Sequence, residues 1–71
     1  MMRTHIESSN LASVGYDAEA RILEVEFQNG TVYQYSNVPA TLFKGLMSSA
    51  SAGRFFNSTI RNGPYPATQI R

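Results

Sequence analysis

Histidine, serine, tyrosine and arginine are the residues in this chain whose types could carry chemistry. His5 is the only histidine, and an imidazole suits proton transfer or metal binding. Glu7 lies two positions on, so on extended backbone both side chains face one way and could touch one metal ion. Two ligands fall short of the three or four that a stable site needs. Serines stand at 8, 9, 13, 36, 48, 49, 51 and 58, but no histidine is spaced to serve any of them as a base. With no cysteine, thiol nucleophiles, disulfides and thiolate zinc sites are excluded. The glycines form neither a dinucleotide fingerprint nor a phosphate-binding loop. Gly53, close behind Ser51, could admit an anion to a helix start, or the pair could simply cap it. These residues predict a protein that is not an enzyme and holds no metal or cofactor.

Binding chemistry is better represented. Tyr33 and Tyr35, with Tyr16 and Tyr65 elsewhere, offer flat surfaces for unpaired bases. Lys44, Arg54 and Arg61 offer contacts to phosphates. Charge is unevenly spread along the chain. Residues 1–35 hold two arginines against five acids, whereas residues 36–71 hold Lys44, Arg54, Arg61 and Arg71 with no acid at all. Such asymmetry suits an anionic partner for the second half, or mutual attraction between halves.

The elements that position these residues follow from periodicity. Val14 and Tyr16 alternate with Ser13 and Gly15, and Asp17-Ala18-Glu19-Ala20 supplies a turn. Leu23, Val25 and Phe27 then alternate with Glu24, Glu26 and Gln28, one apolar face and one wet face. A third strand covers about Thr31 to Ser36. A two-residue Asn29-Gly30 loop would put Tyr33 and Tyr35 with the glutamates, whereas a three-residue Gln28-Asn29-Gly30 loop puts them with Leu23, Val25 and Phe27. The three-residue loop is expected, because a small sheet needs aromatic area in its core. It leaves Glu24 and Glu26 exposed on the other face.

The second half reads as helices. Val38-Pro39 ends the strand and opens a helix whose apolar stripe is Leu42, Phe43, Leu46, Met47 and Ala50. Ser51 is positioned to cap a second helix, and Asn62-Gly63-Pro64 to stop it with Gly63 as a left-handed cap. Phe55, Phe56 and Ile60 form its apolar arc, while Arg54 and Arg61, seven apart, fall together on the opposite face. Tyr65-Pro66 begins an extended tail. The fold expected is α+β: a three-stranded antiparallel β-meander packed against two short C-terminal helices. At 71 residues it is one domain, and no apolar run reaches the ~18–20 residues of a membrane span, so a cytoplasmic location is expected.

Ser8-Ser9-Asn10-Leu11-Ala12, Val14-Gly15-Tyr16-Asp17, Leu23-x-Val25-x-Phe27, Gly30-x-x-Tyr33-x-Tyr35-x-x-Val38-Pro39 and Ser51-x-Gly53-x-Phe55-Phe56-Asn57-x-x-Ile60-Arg61 together resemble the KTSC domain. That domain occurs at the C-terminus of some lysyl-tRNA synthetases and as short stand-alone proteins. The resemblance covers about residues 7–66, with loose ends expected on both sides. It implies RNA binding by association with a tRNA enzyme, and it points to Tyr33, Tyr35 and Arg61. The expected function is a small module that binds RNA or single-stranded nucleic acid through Tyr33, Tyr35, Lys44, Arg54, Arg61 and Tyr65. The alternative is a protein-interaction module, or a weak homodimer, that uses a sheet edge or the uncovered sheet face.

Overall fold

The computed structural model describes residues 1–71. Five antiparallel strands lie in the order of the chain: β1 (Thr4–His5), β2 (Leu11–Asp17), β3 (Ile22–Phe27), β4 (Val32–Tyr35) and β5 (Ala67–Gln69). Between β4 and β5 come α1 (Ala40–Ser48) and α2 (Ala52–Phe55), the latter running on as a π-helix over Phe56–Arg61. The α+β architecture and the central three-stranded meander are as expected. The two edge strands are additional.

Register follows the three-residue loop. Leu23 pairs with Tyr35 and Val25 with Tyr33, and the Phe27 amide donates to the Thr31 carbonyl at 2.9 Å. Gly30 closes the turn at φ 92°, which a Cβ would disfavour. Both tyrosines therefore share the helix-facing side with Leu23, Val25 and Phe27. In β2 a bulge between Leu11 and Ser13 breaks strict alternation, and so Leu11 and Val14 both reach the core. Tyr35, Val38, Leu46, Phe56 and Ile60 complete that core from β4 and the helices.

The helices differ from expectation in four details. The stripe of α1 is narrower, because Met47 is exposed and Ala50 lies beyond the helix end. Ser51 occupies the N-cap position of α2 but its hydroxyl makes no capping bond. Gly63 is not left-handed; glycine is needed there because a Cβ would sit 2.6 Å from the Thr59 carbonyl and 2.7 Å from the Tyr65 ring. Finally, the π-helix packs more residues into each turn through i→i+5 bonding. A seven-residue spacing then no longer returns Arg61 to the face of Arg54.

The second sheet face is not left open. The N-terminal segment crosses it at Gly15, where a Cβ would lie 2.5 Å from the Met2 carbonyl. Arg3 reaches Glu24 at 2.5 Å and Ser13 at 3.0 Å, and Gln34 donates to Glu24 at 2.9 Å. Arg71 comes from the other end of the chain to Glu26 at 2.8 Å. Glu24 is consequently buried, contrary to the alternation reading, and the uncovered face expected for partner docking is covered.

Burial alone would push the Glu24 carboxyl up, but the Gln34 amide, the Arg3 guanidinium and the terminal amine together hold it below 4.5. The Ser13 hydroxyl, with Arg3 and Arg71, holds Glu26 below the same value against a smaller burial effect. Depressed folded values stabilise the fold above the unfolded carboxylate pKa, and that stability is lost as pH falls through the folded values. The melting temperature should therefore hold near neutrality and fall below about pH 4.5, a decline that Glu24→Gln flattens in a thermal series.

Candidate nucleic-acid interface

Two clefts flank the corner Ser8–Asn10, and between them they contain four of the six side chains expected to bind. The corner is held by local bonds. The Ser8 hydroxyl donates to Asn10 Oδ1 at 3.0 Å and accepts from the Leu11 amide at 3.3 Å. Gln28 spans from the hairpin turn, its Nε2 donating to the carbonyls of Ser8 at 3.2 Å and Leu11 at 3.0 Å. Gly53 lets the corner seat on α2, since a Cβ there would collide with Asn10 Oδ1.

The first cleft, about 490 Å³, brings together Tyr33, Tyr35 and Arg61. Phe27, Ser9, Asn10, Gln28, Asn29 and Thr31 complete its wall, and no carboxylate lines it. The two tyrosine rings lie 6.4 Å apart at 30°. Their roles differ. Tyr35 is 6% exposed, its ring set edgewise against Phe56 at 5.3 Å, so it has no face free for a base. Tyr33 is half-buried, with its hydroxyl donating to Gln69 Oε1 at 3.2 Å, and its ring borders the cleft.

Burial pushes the Tyr35 phenol above 10, and the nearby Arg61 charge only partly offsets this. The hydroxyl stays protonated at neutral pH and can donate into the cleft. Arg61 is exposed at the end of the π-helix and takes part in none of the chain's ion pairs, which involve Arg3, His5 and Arg71. Its five N–H donors are therefore available to an anion.

The second cleft, about 730 Å³, lies across Ser9 and Asn10 from the first and contains Arg54. Arg54 is likewise unpaired, so the structure separates the two arginines expected on one face. Lys44 is exposed on α1 and lines neither cleft; Tyr65 packs partly buried against the core and Gly63. Arg71, counted with the basic half, is spent on Glu26. His5 sits on the edge strand β1, 3.4 Å from Glu7, and no group of three or more His, Cys, Asp or Glu gathers there.

Sequence reasoning missed the amides. Asn10, Gln28 and Asn29 reach the cleft from two separate turns, and only their pairing shows it: the Gln28 amide donates to the Asn10 carbonyl at 2.9 Å. The one available signal was Asn10 within the Ser8–Ala12 motif. No helix is long and apolar enough to cross a membrane.

Comparison with known proteins agrees with this architecture. The KTSC domain matches residues 7–65. An uncharacterized protein of Stutzerimonas stutzeri is 43% identical over 65 residues, covering 92% of each chain. A lysine–tRNA ligase of Nostoc punctiforme is 33% identical over 55 residues, 78% of this chain and 10% of the ligase. The crystal structure of a KTSC domain protein from Yersinia pestis superposes with a TM-score of 0.90 at 38% identity, covering 99% of this chain and 97% of that one. With a match spanning nearly its whole length and a solved fold that overlays it end to end, this chain belongs to the KTSC domain family.

Proposed function

We propose that the protein is a non-enzymatic module that binds single-stranded RNA, with one nucleotide seated in the cleft between Tyr33 and Arg61. The observation that carries this reading is the convergence of an accessible aromatic ring and an unpaired guanidinium in one carboxylate-free cleft. A base stacks on Tyr33, the adjoining phosphate meets Arg61, and the Tyr35 hydroxyl and the Asn10 and Asn29 amides face the polar edges of the nucleotide. A cleft of 490 Å³ falls in the range that encloses a small ligand. The match to a tenth of a lysine–tRNA ligase supports RNA as the partner, because it associates the domain with an enzyme that handles tRNA.

Fluorescence anisotropy with a labelled single-stranded RNA tests this. Affinity should fall steadily as salt rises, and Arg61→Ala should weaken binding about tenfold and flatten the log–log salt slope by about 0.7. Tyr33→Ala should remove about 1–3 kcal/mol of stacking while leaving that slope unchanged. Binding indifferent to salt and to both substitutions would refute the reading.

One observation favours a second function. Strand β5 is exposed along all three residues at the sheet edge, with outward backbone groups open to a further strand. If that edge is the working surface, light scattering will show a concentration-dependent dimer, and the arginine substitutions will leave it intact.

A further inference from the structure

The two clefts are halves of one track. They share Ser9 and Asn10 as a common wall, and each presents one unpaired arginine, Arg61 on one side and Arg54 on the other. The π-helix produces this division. Had Phe56–Arg61 continued as an α-helix, Arg54 and Arg61 would share a face and could serve one patch of charge. The wider turn instead aims Arg61 at the tyrosine side of the corner and leaves Arg54 on the far side.

A second observation marks the far cleft. Asn57, on its wall, holds its Oδ1 buried without any hydrogen-bond partner. An orphaned acceptor is costly to the fold and calls for a role outside it. A sugar hydroxyl or base amine entering the cleft that Asn57 lines can supply the missing donor. Only Glu7 brings a carboxylate to this cleft, and its side chain is 97% exposed at the rim beside His5.

Resting on the RNA-binding reading above, we infer that a single strand crosses the Ser9–Asn10 saddle, with one phosphate on Arg61 and a second on Arg54. The ligand is thus a chain of at least two linked nucleotides, not an isolated nucleotide. The tyrosine cleft takes a base by stacking, and the Asn57 cleft takes its neighbour by hydrogen bonds alone, since it contains no aromatic side chain.

Amide NMR shifts and anisotropy together test the crossing. Adenosine monophosphate should shift the amides of Asn10, Gln28, Tyr33 and Arg61 only. A hexanucleotide RNA should shift these and also Gly53, Asn57 and Ser58. Arg54→Ala should weaken the hexanucleotide roughly three- to tenfold and leave the mononucleotide unaffected, whereas Arg61→Ala weakens both. Arg54 is exposed and its side chain bonds to nothing in the protein, so the variant will fold. If Arg54→Ala leaves the hexanucleotide affinity unchanged, or the hexanucleotide shifts only the tyrosine side, the crossing is overturned while the single-nucleotide site stands. If neither ligand shifts any amide, both readings fall together.

Discussion

Phe56→Ala should remove about half of the molecule's folding stability. Phe56 is fully buried, with ring contacts to Phe27 at 5.6 Å and Tyr35 at 5.3 Å, and it joins the π-helix to the sheet. Truncating a buried phenylalanine costs about 3–5 kcal/mol, from lost transfer energy and the cavity left behind. A domain of this length has about 4–10 kcal/mol in total. The urea denaturation midpoint should therefore drop to about half of its wild-type value. Phe55→Ala, at a half-buried position against Gly45, should shift the midpoint far less. Equal midpoints for the two variants would show that the core does not centre on Phe56.

The second large effect is at the opposite sheet face. Arg3→Ala removes the cation from Glu24, whose side chain is only 8% exposed, and leaves Gln34 as its remaining side-chain partner. An uncompensated buried carboxylate is expensive, and with Arg3 itself 23% exposed the loss should be about 2–3 kcal/mol at neutral pH. The pH dependence identifies the cause. Without Arg3 the Glu24 carboxyl titrates at a higher pH, and once protonated it needs no counterion. The stability gap between variant and wild type should thus narrow as pH falls through the carboxylate range. A gap of constant size would mean that Arg3 acts through packing, not charge. Arg3→Met combined with Glu24→Met should recover much of the loss, since an apolar pair of similar volume replaces a buried ion pair at little cost.

These two positions also divide what could be read in advance from what could not. The tyrosines' side of the sheet was legible, because the Gln28-Asn29-Gly30 loop and period-two alternation are local and decide register within a few residues. The helix pair was legible for the same reason, from Pro39 at its start to the stop at Asn62-Gly63-Pro64. The edge strands were not. Thr4–His5 and Ala67–Gln69 are too short to show a period, and they become strands only because β2 and β4 offer unpaired backbone groups.

The candidate site divides in the same way. Residue type alone marks Tyr33 and Arg61, whereas their meeting in one cleft depends on packing. Periodicity marked Glu24 as wet, whereas Arg3, 21 positions away, let it be buried. Alternation records only which way a side chain points, not what a distant segment lays over it. Helical spacing likewise placed Arg54 and Arg61 together, because side-chain patterns carry no sign of an i→i+5 turn. Local backbone preferences were thus written in neighbouring residues, while ion pairing across the sheet and the π-turn arose only when remote segments packed, since those energies exist solely in the assembled fold.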